Sequence, residues 1–242
     1  MFEDFGSEND EGLEQPDPVE TSAREALHHF FERHSQHVFF SRQLEVQNEG
    51  QYFHWITNRA IRDLEAEATI FSETRPLNSG GTIKLLWHRK FRYYKREATK
   101  LVQLVNEYSA PNIGASLGLQ AEALVLEGFA SIEFVMKGRD SNKYGAKSWF
   151  ETDHNMDFIF ERYGQAYGIE VKNTLGYMDR EEFETKIRLC REIGVRPVFA
   201  ARMLPKTWIN DLINAGGFAL ILKYQLYPWA HRELAKKISQ VA

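Results

Sequence analysis

Two carboxylates and a lysine fall close together in residues 157–174 of the sequence. Glu170 and Lys172 alternate with apolar residues, so both charged side chains share one face of a predicted strand. A turn predicted around Gly164 pairs this strand with an earlier one and sets Asp157 roughly opposite Glu170 and Val171. Carboxylate oxygens bind hard cations, and a nearby lysine can orient or deprotonate water. The spacing therefore predicts a cation site at one edge of a sheet.

A purely structural explanation of the same residues stays open. Buried carboxylates and lysines are usually paired without being catalytic, so these residues also fit an ion pair on a half-buried strand. Glu122 has a similar ambiguity. It adjoins the apolar stripe of a predicted helix at 115–130, from which it can reach the sheet edge, but it also fits an ordinary surface glutamate.

The elements around this segment predict an α/β domain over residues 113–242. A capped helix follows Asp179, Gly194 ends it, and an apolar strand begins near Pro197, which together predict a right-handed βαβ unit. Upstream, we expect a strand at 132–136 and a polar loop at 138–146. The single cysteine, Cys190, excludes a disulfide framework and a cysteine-based zinc site, and its position on the buried helix face predicts an inert core thiol.

The N-terminal part predicts a second domain over residues 21–108, after an acidic leader. Residues 1–20 contain eight Asp or Glu and no Lys or Arg, so we expect a disordered segment. Removing these eight charges from the net charge of −4 leaves +4 for the rest of the chain, which permits a nucleic-acid partner. Helices predicted at 21–37, 41–44 and 52–64 precede a β-prone pair at 68–71 and 82–87. This order resembles a winged-helix domain.

A basic segment follows the predicted hairpin. Residues 88–100 contain six Lys or Arg against one Glu, with three aromatic residues interleaved. Such a segment suits nucleic-acid phosphates and bases, and a solvated helix with core-facing aromatics explains it equally well. The four cations that we assign to nucleic-acid binding are Arg89, Lys90, Arg92 and Lys95.

The remaining histidines and apolar runs narrow the functional classes. The eight His show no metal-ligand spacing with cysteines or carboxylates, and we expect His28, His29, His34 and His37 on an exposed helix face. No apolar run approaches membrane-span length, so we expect a cytoplasmic protein without a membrane partner. The absence of a P-loop argues against a built-in ATPase.

The C-terminal part resembles the PD-(D/E)XK nuclease superfamily, which has the restriction-endonuclease-like fold. The residues that carry the resemblance are Asp157, the run Glu170-Val171-Lys172, and the preceding helix with Gln120-Ala121-Glu122. The resemblance covers roughly residues 113–222 and looks most similar to the archaeal Holliday-junction resolvases. It implies a mixed sheet flanked by helices, and so an α/β fold beside the N-terminal winged-helix α+β domain.

The resemblance also implies roles for these residues. Asp157 and Glu170 would bind Mg²⁺, for which Mn²⁺ can substitute, with the Val171 carbonyl and Glu122 as further ligands. Lys172 would orient or deprotonate the attacking water, so that the catalytic set is Asp157, Glu170, Lys172 and Glu122. The implied activity is a metal-dependent DNA endonuclease, structure-specific in the manner of a junction resolvase and working in repair, recombination or defence.

We expect three kinds of partner for such a nuclease and keep two alternative functions open. The partners are DNA, a second copy of the chain in a homodimer, and a protein bound through the winged helix. The first alternative is a non-catalytic protein that binds DNA or scaffolds a complex, because fold does not fix function. An enzyme acting on nucleotides or RNA is a less favoured third class.

Overall fold

The structure is a computed structural model that describes residues 17–241, and it is a mixed α/β structure as the sequence predicts. The chain divides into two compact units. Of the described residues, 17–73 and 84–97 form the first unit, and 74–83 and 98–241 form the second. No helix in the described range is long and apolar enough to cross a membrane.

The N-terminal elements follow the predicted order, with shifted ends. They are α1 (Pro18–Arg33), β1 (Val38–Phe40), α2 (Ser41–Asn48), α3 (His54–Ala66), β2 (Ile70–Pro76) and β3 (Thr82–His88), and the strands form one sheet in the order β1-β3-β2. The helices bury apolar side chains together, among them Leu27, Phe31, Leu44 and Leu64.

The first helix begins earlier than the sequence indicated. The Asp17 side chain accepts a hydrogen bond of 2.8 Å from the Val19 N–H, and Pro18 occupies the first turn, where its missing N–H costs nothing. The predicted leader at 1–20 therefore extends too far at its end, and its residues 1–16 lie outside the described residues. Because α1 ends at Arg33, the prediction that His34 and His37 lie on this helix was wrong.

Two long helices lead from the first unit into the second. They are α4 (Tyr94–Tyr108) and α5 (Pro111–Ser131). The predicted boundary near 109–112 coincides with the break between these helices, whereas the division into compact units falls inside α4, after Glu97. A helix can continue across such a division because its hydrogen bonds are local.

The second unit contains a five-stranded mixed sheet in the order β10-β9-β8-β7-β4. Pairs β4–β7 and β7–β8 are antiparallel, and β8–β9 and β9–β10 are parallel. Its strands and the elements between them are β4 (Val135–Ser141), β5 (Lys143–Tyr144), β6 (Lys147–Ser148), β7 (Met156–Arg162), β8 (Gln165–Lys172), α6 (Arg180–Ile193), β9 (Arg196–Ala201), α7 (Lys206–Asn214) and β10 (Phe218–Ile221), before a 3-10 turn (Trp229–His231) and α8 (Arg232–Val241).

Helices cover both faces of this sheet. Phe158 and Phe160 of β7 pack with Ala121 of α5, whereas Ile159, between them in sequence, packs with Leu189 and other residues of α6. The predicted βαβ unit of β8, α6 and β9 is confirmed, with Asp179 accepting hydrogen bonds from the first turn of α6.

The region before β7 corrects one prediction. The expected strand at 132–136 lies later, at β4, and the expected loop at 138–146 contains the end of β4, strand β5 and the turn that leads to β6. Strand β4 is an edge strand with exposed Lys137 and Arg139 and a bulge near Gly138. Charged residues are common on edge strands, so β4 lacks the apolar pattern on which the prediction depended.

Candidate metal centre

The β7–β8 hairpin sets the register of the charged residues. Tyr163 and Gly164 have φ of 51° and 74°, the left-handed conformation at both positions of a two-residue hairpin turn. The ladder runs from Arg162 opposite Gln165 to Phe158 opposite Ile169. One step further along this register, Asp157 faces Glu170, as the sequence predicts.

The Asp157 side chain, rather than its backbone, makes the next hydrogen bond between the two strands. Its Oδ2 atom accepts a hydrogen bond of 2.6 Å from the backbone N–H of Val171. This bond takes up a β8 amide two residues beyond Ile169, the last residue of β8 that pairs with β7, so the carboxylate is anchored where the two strands separate. The role of the Val171 carbonyl as a metal ligand stays a prediction.

Glu170 is a buried carboxylate with only 4% of its surface exposed. Burial is the main cause that raises the pKa of Glu170 to about 7, and the neighbouring Asp157 charge raises it further. The ammonium of Lys186 opposes both effects. A carboxyl group whose pKa is perturbed by burial and by a neighbouring carboxylate is a candidate member of a functional site.

The pKa of Asp157 is also raised, first by burial and to a lesser degree by Glu122. The hydrogen bond from Val171 is the largest opposing influence. The charge of Glu122 thus acts on Asp157, whereas Glu122 is not among the groups that act on Glu170. Among the described residues, the ligand atoms of these three carboxylates do not form a group within 4.8 Å of one another. Glu122 lies on α5, and its Oε2 atom is 3.5 Å from an Arg139 nitrogen of β4.

Lys172 lies at the end of β8, on the same face as Glu170. Its ammonium is 3.9 Å from a carboxylate oxygen of Glu182 on α6, and about a third of its side chain is exposed. Its charge also lowers the pKa of both Asp157 and Glu170. Lys172 is therefore both near the carboxylates and accessible to solvent.

Sequence reasoning missed Lys186, which is the closest cationic partner of Glu170. The Lys186 Nζ atom donates to Glu170 Oε2 at 2.5 Å and to the Asn155 carbonyl at 2.9 Å. The available signal was its helical position, since Lys186 precedes Cys190 by one turn and so falls on the buried face of α6.

The four residues predicted to contact nucleic acid belong to the first unit. The carboxylates of the candidate site belong to the second unit. Arg89, Lys90, Arg92 and Lys95 are all exposed. Two aromatic residues of the same segment, Tyr93 and Tyr94, differ in exposure and packing. The Tyr94 ring stacks on Trp87 with centroids 3.8 Å apart, whereas Tyr93 is 85% exposed. Tyr94 therefore packs on Trp87, as the second explanation of the interleaved aromatics expects, and base stacking by Tyr93 stays a prediction.

A separate group of potential metal ligands lies on α1. Glu32 Oε2 is 3.7 Å from His28 Nδ1 and 3.6 Å from His29 Nδ1, and the three ligand atoms lie within 4.8 Å of one another. The statement that the histidines show no metal-ligand spacing was wrong, because His28 and Glu32 are one helical turn apart. The side chains of His28, His29 and Glu32 are 39%, 72% and 49% exposed.

The oxygen donors of the β7–β8 site are of the chemical type that a hard divalent cation prefers. Asp157, Glu170 and Glu122 offer carboxylate oxygens, and the charge of Glu170 contributes to the raised pKa of the buried Cys190 thiol, after burial itself. Mg²⁺ prefers a few carboxylates together with water and phosphate oxygens. The burial of Asp157 and Glu170, which raises the pKa of both, agrees with a pair of carboxylates that would gain from a bound cation.

Comparisons with known proteins add one weak structural likeness. No protein-family model matches the chain, and no curated protein matches it. Among solved structures, the crystal structure of protein VC1899 from Vibrio cholerae is similar with a TM-score of 0.28 and 13% sequence identity. The likeness covers 92% of this chain and 50% of that chain, so this chain spans half the length of its neighbour. Any functional conclusion therefore depends on the site itself.

Proposed function

We propose that the protein is a metal-dependent nuclease that hydrolyses phosphodiester bonds in DNA. One observation carries the proposal. Asp157 and Glu170 meet where β7 and β8 separate, with Lys172 two residues further along β8. Paired carboxylates beside an accessible lysine suit the hydrolysis of an anionic ester, because the reaction needs charge neutralisation and a positioned water.

The residues divide the chemical work in the following way. Asp157 and Glu170, with Glu122, would hold Mg²⁺ or Mn²⁺, which when bound neutralises phosphate charge and makes water more acidic. Lys172 positions the attacking water and stabilises negative charge on the phosphate oxygens. Water adds to phosphorus, the bond to the leaving oxygen breaks, and that oxygen takes up a proton, which yields a phosphate monoester and an alcohol.

The fold supports the proposal at a coarser level. A mixed sheet covered by helices carries the hairpin, as expected for a restriction-endonuclease-like domain, and the order of elements in the N-terminal part agrees with a winged helix. We further propose that the exposed cations of the basic segment contact DNA. The preferred DNA would be a junction or another branched structure. The protein would act as a homodimer or with a protein partner bound through the winged helix.

A cleavage panel tests the proposal directly. Purified protein is incubated with linear, branched and single-stranded DNA in the presence of Mg²⁺, Mn²⁺ or EDTA. We expect metal-dependent cleavage that Asp157→Asn and Lys172→Ala each lower by at least about 100-fold, since each removes a group that acts in the transition state. Asp153→Ala is the matched control, because Asp153 is an exposed carboxylate four residues before Asp157.

The outcomes separate the proposal from its alternatives. Failure of the unmodified protein to cut any of these DNAs with either metal would overturn the proposal. DNA binding that persists in EDTA and is lost in Arg89→Ala or Lys90→Ala, without cleavage, would instead support the non-catalytic binding protein. Cleavage confined to RNA would support the third class.

A further inference from the structure

Lys186 is an unusual residue in its surroundings. Its side chain is 9% exposed, and it lies on the face of α6 that also buries Phe183, Leu189 and Cys190. Lysine is almost never buried to this extent without a partner. Here the partner is the equally buried Glu170, whose side chain is 5% exposed. The ion pair therefore places a fixed ammonium group directly behind the proposed cation site.

The Lys186 ammonium links β8 to the residue that precedes β7. One N–H group reaches Glu170 on β8, and another reaches the Asn155 carbonyl, two residues before Asp157. An ammonium has three donors and no acceptor, so both contacts are donated by Lys186. The lysine thus fixes the distance between the chain segments that carry the two carboxylates.

The hydrogen bonds of the two carboxylates show a common pattern. Within the described part of the chain, the bond to Glu170 engages Oε2 and the bond to Asp157 engages Oδ2. Each carboxylate therefore has one oxygen held by the protein and its other oxygen available to a ligand. For Asp157 the holding group is the Val171 amide, and for Glu170 it is Lys186.

This pattern bears on which cation the site prefers. Mg²⁺ demands a small, nearly octahedral set of oxygens, whereas Ca²⁺ accepts six to eight oxygens and often takes both oxygens of one carboxylate. A carboxylate with one oxygen already hydrogen-bonded is well suited to the first cation and poorly suited to the second. Partners of this kind, which hydrogen-bond to ligands, typically change metal affinity by about 10–100-fold when removed.

We propose that Lys186 is a positioning residue that holds one oxygen of Glu170, so that the site offers single oxygens and favours Mg²⁺ over Ca²⁺. The inference rests on the proposed function, since it assumes that Asp157 and Glu170 bind a cation. It adds a residue, a mechanism of selectivity and a readout that does not depend on cleavage.

Calorimetric titration of the metal-free protein with Mg²⁺ and with Ca²⁺ tests the inference. We expect Lys186→Gln to weaken Mg²⁺ binding by about 10-fold or more while Ca²⁺ binding changes much less. The ratio of the two affinities would therefore fall. Arg188→Gln is the matched control on the same helix, because half of the Arg188 side chain is exposed and its ion pair is with Glu151.

The affinity ratio distinguishes positioning from a general structural role. Loss of packing alone would lower the affinity for both cations together and leave their ratio unchanged, which would overturn the inference. Tighter Mg²⁺ binding in Lys186→Gln would also overturn it, because the ammonium would then act as a competitor of the metal. If the unmodified protein binds neither cation, the proposed function fails, and the inference fails with it.

A measurement on the unmodified protein tests the inference even if the Lys186→Gln variant does not fold. A crystal structure with Mn²⁺ should show Glu170 bound through one oxygen, with the Lys186 ammonium still on the other. Binding through both Glu170 oxygens, or a Lys186 side chain withdrawn from Glu170, would overturn the inference even if cleavage is observed.

Discussion

At the scale of single residues, the site is defined by charges that the fold buries close to one another. Glu170 is enclosed by the sheet and α6, and its ionisation is opposed by burial and by Asp157. Lys186 compensates for part of this cost through a direct contact. The result is a carboxylate near its ionisation point at neutral pH, so that small changes in its surroundings alter its charge.

This electrostatic balance predicts a pH-dependent stability of the metal-free protein. The pKa of Glu170 is raised to about 7 from its ordinary value of 4.5. For a raised pKa, the stabilising contribution is fully present below about 4.5 and is lost as the pH rises through about 7. We expect a loss of about 3 kcal/mol in the free energy of unfolding, from the conversion of a pKa shift into free energy.

Denaturant unfolding at several pH values isolates this effect when Glu170→Gln is measured alongside. The variant has no carboxyl group to titrate at position 170, so its free energy of unfolding should fall less between pH 4.5 and 8. The difference between the two proteins is the quantity to compare, because all other titrating groups are shared. Parallel pH profiles would show that Glu170 keeps an ordinary pKa in the folded state.

The sequence could predict part of this site and not the rest, for a physical reason. The alternation along β8 and the turn at Gly164 place Glu170 and Asp157 together, because strand geometry is local and regular. The pairing of Glu170 with Lys186 depends instead on how α6 packs against the sheet. That packing involves residues 16 positions apart, and no local rule determines which residue of the helix face reaches Glu170.

At the scale of elements, the position of α6 depends on a close contact with β8. A Cβ atom added to Gly168 would lie 2.9 Å from the Cys190 sulfur and 3.1 Å from a Val195 methyl group. Glycine at this position therefore lets the helix approach the strand, two residues before Glu170. The contact supports the placement of Lys186, which is carried by the same helix.

This close contact predicts opposite effects of one substitution at two glycines. Gly168→Ala should lower the free energy of unfolding by about 1–3 kcal/mol, the usual cost of overpacking a core. Gly118→Ala, on α5, should raise it by about 0.5–1 kcal/mol, because no atom lies within 4 Å of the added Cβ and alanine favours a helix. Thermal or denaturant unfolding of both variants gives the comparison.

The two variants also report on the site. Displacement of α6 in Gly168→Ala should weaken Mg²⁺ binding as well as stability, whereas Gly118→Ala should leave Mg²⁺ binding unchanged. Equal stability of Gly168→Ala and the unmodified protein would contradict the close packing of α6 on β8.

At the scale of the whole molecule, the sequence predicted more about the elements than about their grouping. Capping residues and apolar periodicity identified α6 and β9 because these signals are local. The position of the edge strand β4 was not predicted, because its charged residues resemble those of a loop. The division between the two compact units inside α4 was also not predicted, since a continuous helix carries no local signal of where one unit ends.

The distribution of charge over the chain leads to the last prediction. The exposed cations that begin at Arg89 belong to the first unit, and the carboxylates belong to the second. If the first unit binds DNA through phosphates, each lost contact should reduce the dependence of the binding constant on salt. We expect the double variant Arg89→Ala, Lys90→Ala to lower the slope of log affinity against log salt by about 2, or roughly one per phosphate contact.

The matched control for this measurement is the double variant Arg33→Ala, Arg62→Ala, which removes two exposed positive charges from the same unit outside the basic segment. Both variants change the net charge equally, so an effect of overall charge would appear in both. A salt slope that falls only in the Arg89→Ala, Lys90→Ala protein assigns the loss to specific phosphate contacts. Equal slopes in the two variants would mean that residues 88–100 are a solvated helix start, and the site on β7 and β8 would then have to engage its substrate through the second unit alone.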